Sequence, residues 1–453
     1  MATRRDFIKS ASLLCAGGAG AVSGAETGQQ GIREITWRDD VPLRHECDVA
    51  VVGGGIAGVS AAMSAAKSGA RVLLIEDYAV VGGNATIGGV NGFCGETAGQ
   101  GEAFDAIVEA MQAFHAIAPY KPYPEADNRK FDHEILAVVL QELLLRRGVK
   151  LLLHTCFVDA RARGGRVREI MVCGPSGPEI IRAKQYVDTT GEALLAHQAG
   201  FATVKGRPGD GRQLPMSLMF FVREVAAENA APQVPEGWFE PIPAKDDLPM
   251  TSISPAGPGR FGIKIKIPKF DATDTESLTA AEIQARRRMM AVLDYHQRVE
   301  KKPWVLDACS PRIGIREGRR VVGEHALTVD ELRAGQTFED AIARGVYYLD
   351  GHNPDDDKRT YILPPEQRQV PPYQIPFRSL VPKGAKNLLA AGRCLSADQL
   401  ALSSARVMTT CSMTGQAAGI AAALCAARGC ALPDLHPTEV TKIIHDRGAR
   451  LDL

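Results

Sequence analysis

Hydrophobic positions along the chain switch between two periods, and the switches mark the elements. Asp48 to Val52 is a short, β-branched-rich apolar run, as a strand buried on both faces of a parallel sheet requires. Glycine ends it. From Ile56 small and apolar residues recur at helical spacing, with Ala62, Ala66 and Gly69 on one close-packing face, and Arg71 to Ile75 reads as a second strand ending in Glu76. Helical spacing returns over Phe104–Ala118 and Phe131–Arg147, and Gly148 stops the second of these. Lys150–Thr155 reads as a strand. The runs Cys156–Arg161, Arg166–Cys173 and Glu179–Ala183 alternate and are broken by Gly164-Gly165 and Pro175-Ser176-Gly177, which predicts an antiparallel meander. Lys184–Thr190 is again a buried strand, and a helix is expected from Glu192.

From Gly206 the texture changes. Prolines cluster, strand-like runs appear at Ser217–Val225 and Arg260–Ile267, and one helix at Ala280–Val299. Asn387–Ala391 then reads as a buried strand, followed by Gly392-Arg393 and a helix over Ser404–Arg428 that Gly429 stops. The expected fold class is α/β: a discontinuous Rossmann-like domain with a β-meander (46–205 and 383–430), an inserted α+β domain at 206–382 and a C-terminal tail at 431–453.

The first strand, turn and helix carry the chemistry. Gly53, Gly55 and Gly58 form G-x-G-x-x-G where the first makes the turn, the second lets backbone approach a pyrophosphate and the third lets helix pack on strand. Ile56 and Ala57 open the helix, whose free N–H groups and dipole favour an anion. Glu76 stands eighteen residues past Gly58, where a carboxylate can accept both ribose hydroxyls. A dinucleotide site is expected. Eight glycines between Gly82 and Gly101 then form a run without periodicity, and Gly82-Gly83-Asn84 can lie against the same pyrophosphate. A flexible surface loop is the other reading of that run. Gly191, after the strand at Lys184, gives a second turn aimed at the ligand.

Composition narrows the class further. Residues 1–25 carry paired arginines (Arg4, Arg5), Phe7, Lys9, a weakly apolar stretch and a small-x-small site at Ser23 and Ala25, the pattern of a twin-arginine export signal. Export machinery of that kind is an expected partner, and the expected location is periplasmic or secreted. Lysine plus arginine and aspartate plus glutamate both number 53, and without residues 1–25 the chain stays near neutral, so no nucleic-acid partner is expected. No later stretch has the length of apolar residues that a membrane span needs. The cysteines contain no C-x-x-C, which excludes the usual cluster and zinc-ribbon spacings, and no metal site is expected.

The pieces together resemble one family, the FAD-dependent oxidoreductases of the glutathione-reductase-like group. The motifs are VVGGGIAG with Glu76, GGNAT, FDHE at Phe131–Glu134, VDTTGE, IREGRRVVGE at Ile315–Glu324, DGHNP at Asp350–Pro354, and NLLAAGRCLS running into SSARVMTTCSMTGQAAG. The resemblance implies FAD as cofactor, with Gly392, Arg393 and the helix near Ser404 approaching the flavin ring. Relatives usually carry Thr where Gly318 stands, and the change is expected to widen the site. A second G-x-G-x-x-G is missing, so an internal nicotinamide domain is not expected.

The implied activity is hydride transfer between a small polar substrate, held between the two domains, and the flavin, with electrons passed to an unidentified acceptor. The alternative is a flavin-binding electron-transfer or structural subunit without its own substrate. Read as a strand, Arg312–Arg320 places Arg312, Gly314, Arg316, Gly318 and Arg320 on one face. Arg316 and Arg320 either hold a substrate anion or pair with Glu317 or Glu324. His352, in DGHNP, is the candidate base by the resemblance.

Overall fold

The computed structural model describes residues 40–453 apart from positions 230 and 357, and the export signal read at 1–25 lies outside the described residues. Strand β1 (Leu43–Val52) leads through the glycine turn into helix α1 (Ile56–Lys67) and back to β2 (Val72–Ile75), parallel to β1. Val49 to Val52 and Val72 to Ile75 are buried throughout, as an interior parallel pair demands. Helix α2 (His133–Arg146) is capped by Asp132 of the FDHE run, whose carboxylate accepts from the backbone N–H groups of Glu134 and Ile135. Strand β3 (Lys150–Leu152) joins β2 in parallel. Strands β4 (Cys156–Arg163) and β5 (Arg166–Gly174) form the hairpin of the meander, and β6 (Gly177–Asp188) completes it.

Strand β6 corrects the expectation of two strands at Glu179–Ala183 and Lys184–Thr190. It is one strand with two jobs, pairing antiparallel with β5 in its first half and parallel with β1 along nearly all its length. A second, antiparallel sheet contains β7 (Met216–Glu224), β8 (Thr251–Pro255), β9 (Arg260–Ile267) and β10 (Trp304–Cys309) in the order β8-β9-β7-β10. Helix α3 (Thr275–Arg298) covers one face of it. Leu218, Phe220, Ile263 and Ile265 alternate into that side with Val292 and Leu293. The odd strand out, β11 (Leu388–Ala390), returns to the first sheet beside β6. Helix α4 (Met408–Arg428) then crosses α1 in backbone contact. A methyl at Gly415 or Gly419 would come within 2.1 Å of the carbonyl oxygens of Ala57 and Ala61.

The α/β class with a parallel sheet is therefore as expected, while several boundaries differ. The inserted segment does not extend to 382 as a separate layer. Its own core ends near Ile315, and Leu327, Ile342, Ala343, Tyr373, Ile375 and Leu380 pack into the same core as α1 and α4. The cause is the antiparallel pair of Ala341–Gly345 with Tyr373–Pro376, whose first strand lies on α4. Residues 431–453 are not a tail either, because a helix at Pro437–Asp446 buries Val440 and Ile444 in that core. The expected helix Ser404–Arg428 is two helices, Gln399–Ala405 and α4, broken at Arg406-Val407. Ser404 lies inside the first, donating to the Tyr347 carbonyl at 2.7 Å, so it does not cap the helix that reaches the cavity. Residues 42–453 form one compact unit. Among the described residues no helix is long and apolar enough to cross a membrane.

Candidate functional site

The carboxyl ends of β1, β2, β6 and β11 and the open face of the antiparallel sheet line a single cavity of about 620 Å³. Its first end is built from backbone. Gly53 has φ +98° and a methyl there would lie 2.5 Å from the Thr189 carbonyl oxygen, so only glycine can make this turn. Gly55 has no atom within 4 Å of where a side chain would begin, and it opens onto the cavity at the N-terminus of α1. No side chain caps that terminus. Gly58 does not line the cavity; a methyl there would collide with the Gly53 carbonyl at 1.9 Å, which makes it a packing glycine. Ile56 and Ala57 line the cavity beside Gly55.

The glycine loop after β2 closes the same end. The Gly82 N–H donates to Gly54 O at 2.7 Å, and a methyl at Gly83 would lie 3.2 Å from Gly55 Cα. Asn84 lines the cavity with its amide donating to Ile315 O at 2.9 Å, tying the loop to the 312–320 segment. Glu76 is buried, its two carboxylate oxygens accepting from the N–H groups of Gly54 (2.6 Å) and Tyr78 (3.1 Å). Burial and then the neighbouring Asp77 push its pKa up to about 8.

In the middle, Gly191 (φ +84°) and Gly392 (φ +70°) bring two loops together, and Arg393 lies between them with Nη2 2.5 Å from Glu192 Oε1. At Gly191 the positive φ suits glycine, and a methyl there would push aside the Arg393 guanidinium, whose Nη2 lies 2.1 Å from where it would begin. Val407, Met408 and Cys411 bring the N-terminus of α4 to the cavity. A helix N-terminus there favours negative charge by about 0.3–1 kcal/mol, up to roughly 2 when partly buried.

The second end is built from side chains. The Arg312–Arg320 segment is not a continuous strand. Only Arg319–Val321 pairs, with Thr203–Lys205, and Gly314 bridges to Ser217. Arg312, Arg316 and Arg319 line the cavity, and Arg320 does not. Arg320 is 3 % exposed, forms an ion pair with Glu317 and donates to Gly206 O at 2.9 Å. This overturns the catalytic expectation for Arg320 in favour of the ion-pair reading. Gly318 also fails to widen the site, since a methyl there would lie 2.8 Å from Glu192 Cγ.

Arg316 is buried, with Nη1 donating to Pro215 O (2.8 Å) and to Ser217 Oγ. Burial and the nearby Arg406 lower its pKa to about 10. His352 is 2 % exposed, with Nε2 3.1 Å from Asp350 Oδ1. Asp350 can only accept, so Nε2 carries the proton and Nδ1 keeps its lone pair; Nδ1 has no hydrogen-bond partner. Burial and the Arg316 charge bring the imidazole down to about 3, outweighing Asp350. Burial alone would raise Asp350, but the His352 hydrogen bond and the charges of Arg406 and Arg316 hold it well below the usual carboxylate range. Arg406 Nη2 binds it at 2.8 Å.

Several residues at this end went unread in the sequence. Lys264 had a local signal, because RFGIKIKI alternates isoleucine with lysine and must turn both lysines away from the core. Arg406 had none, lying in apolar helical spacing at a break that no Gly or Pro marks. Tyr347, Tyr348 and Tyr361 complete the wall.

The first end suits a dinucleotide in its chemistry: an open-faced glycine at an uncapped helix N-terminus, a second glycine loop in backbone contact with the first, and a buried carboxylate beyond them. Comparison with known proteins agrees. A family model described as FAD dependent oxidoreductase matches residues 48–444. Digoxin reductase of Eggerthella lenta is 34% identical over 22% of this chain and 22% of its own length. Nicotine dehydrogenase of Pseudomonas putida is 41% identical over 18% and 16%. Fumarate reductase (cytochrome) of Shewanella frigidimarina is 61% identical over 10% and 8%. The chain thus spans less than a quarter of the length of each of these relatives. A geranylgeranyl bacteriochlorophyll reductase-like protein of Thermoplasma acidophilum superposes with a TM-score of 0.49 at 13% identity, covering 90% of this chain and 85% of that one. With nearly the whole described chain inside the family match, the protein belongs to the FAD-dependent oxidoreductase family, and its cofactor is FAD.

Proposed function

We propose that the protein transfers hydride between a small polar substrate and FAD. The observation that carries this reading is that His352, with its unpartnered Nδ1, and Arg316 line the same cavity as the glycine turn at Gly53–Gly55. Gly53, Gly55, Ile56, Ala57, Gly82, Gly83 and Glu76 would hold the adenosine and pyrophosphate. Gly191, Gly392, Arg393 and the α4 N-terminus would face the ring. Bound FAD supplies the two-electron acceptor or donor.

His352 is neutral at physiological pH, and its Nδ1 lone pair is free to take a proton from a substrate C–OH or C–NH group. Asp350 fixes the tautomer and orientation, and Arg406 fixes Asp350. Arg316 binds the anion that the substrate carries or develops. A relay without a substrate has no use for this buried arrangement, so the enzyme reading is preferred. The electron acceptor completes the cycle at the flavin.

The test starts with anaerobic mixing of the flavin-loaded protein with fractionated metabolites to find one that bleaches the flavin. His352→Ala, with folding and FAD content verified, should then slow that bleaching by about 10²–10⁴-fold, the range for losing a general base. Bleaching at the wild-type rate would remove His352 from the mechanism. We also propose that residues 1–25 direct twin-arginine export. Arg4→Lys with Arg5→Lys should leave the protein in the cytoplasmic fraction, and undiminished export would rule that out.

A further inference from the structure

We infer that the open face of the antiparallel sheet is an anion subsite in which Lys264 and Arg316 bind a carboxylate of the substrate, while Tyr347, Tyr348 and Tyr361 receive its planar body. This rests on the hydride-transfer reading and names its substrate class. Strand alternation builds the wall. Leu218 and Phe220 of β7 and Ile263 and Ile265 of β9 point into the core under α3, which turns Ser217, Met219 and Lys264 to the cavity. Lys264 stands opposite Met219 on one side and Ser252 on the other, so its row offers no carboxylate. No hydrogen bond or ion pair among the described residues engages its ammonium, and the side chain is half-buried in the cavity wall.

An ammonium set in a cavity wall, partly withdrawn from water and without a protein partner, favours a ligand that supplies the opposite charge. Arg316 adds to it. Its Nη1 is taken by Pro215 O and Ser217 Oγ, and no described residue engages the rest of the guanidinium. The half-buried carboxylate nearby, Asp350, is already shared between His352 and Arg406. Asp127 and Lys130 also line the cavity. Lys264, Arg316 and Arg406 thus outnumber Asp350 at this end, and that excess of positive charge selects an anion over a neutral or cationic group.

The facing wall is aromatic. The Tyr347 and Tyr348 rings lie 4.4 Å apart, the Tyr348 and Tyr361 rings 6.3 Å apart and the Tyr361 and His352 rings 5.1 Å apart. Burial holds the Tyr347 and Tyr348 phenols neutral, so they add no charge against an anion. Tilted and edge-on rings of this kind offer faces and edges on which a flat, unsaturated body packs.

Three probes of one shape and different charge separate these terms: benzoate, benzamide and benzylamine, titrated calorimetrically into the flavin-loaded protein. Benzoate should bind about ten- to a hundredfold more tightly than benzamide, the worth of one charge-assisted hydrogen bond, and benzylamine should not bind. Lys264→Gln should erase the preference for benzoate, and Lys264→Arg should keep it. Equal binding of benzoate and benzamide to the wild type, binding of none of the three, or an undiminished preference in Lys264→Gln would each overturn the subsite. The wild-type series stands even where Lys264→Gln does not fold. Because the titration needs no turnover, its failure is distinct from that of the His352 test, which reads flavin reduction.

Discussion

The two ends of the cavity are made of different material. At the cofactor end the groups that would meet the ligand are mainly backbone N–H and carbonyl atoms, brought close because Gly53, Gly55, Gly82 and Gly83 have no side chains, with the Glu76 carboxylate beyond them. At the far end they are the side chains of Ser217, Lys264, Arg316, Tyr347, His352 and Arg406, drawn from segments up to almost two hundred residues apart. A backbone site needs particular spacings along a short stretch, and it holds one kind of ligand. A side-chain site needs only that distant segments converge, so its residues can change singly and its substrate with them.

The segment Ile315–Glu324 tests that division most severely, since it contributes Arg316 to the far end and Arg320 to neither. Arg320→Gln strips the buried Glu317 of its partner and should cost about 3–5 kcal/mol of stability in denaturant unfolding. FAD content per folded molecule should stay at the wild-type level. Loss of flavin without loss of stability would put Arg320 back in the site.

A smaller effect is expected with pH. Burial and Arg316 lower Lys264 to about 8, while Asp350 and Cys94 act in the opposite sense and Arg406 in the same sense. The ammonium is present below that pH and lost above it, so affinity for an anionic substrate should fall above about pH 8 by up to roughly tenfold per unit. A bound anion raises the lysine pKa and moves the fall upward. His352, titrating near 3, should give no inflection in flavin reduction around pH 6.5. An inflection there would mean that the imidazole is charged in the resting protein.

The difference in material also explains what could be read in advance. The parallel strands, the glycine turn and Glu76 were legible because apolar runs and glycine spacing are local signals. The close contact of Gly415 and Gly419 with Ala57 and Ala61 was visible only once α4 and α1 were seen to cross. The break at Arg406-Val407 was not legible, because the apolar spacing runs through it and an ion pair with Asp350, far away in sequence, sits there instead. The role of Arg320 was ambiguous for the same reason. Alternation places arginines on a face but cannot say that Glu317, three residues away, will turn back to meet one of them. The extent of the insert was misjudged because the paired strands Ala341–Gly345 and Tyr373–Pro376 look like any apolar runs until the helix they lie near is known.

The most direct measurement is the FAD content of two purified variants side by side. Gly55→Leu fills the open face where the pyrophosphate would lie, whereas Lys264→Gln alters only the far wall. The account predicts folded but colourless Gly55→Leu and a Lys264→Gln that is as yellow as the wild type. A Gly55→Leu protein that retains its FAD, or a folded Lys264→Gln protein that loses it, would contradict the division of the cavity into a cofactor end and a substrate end.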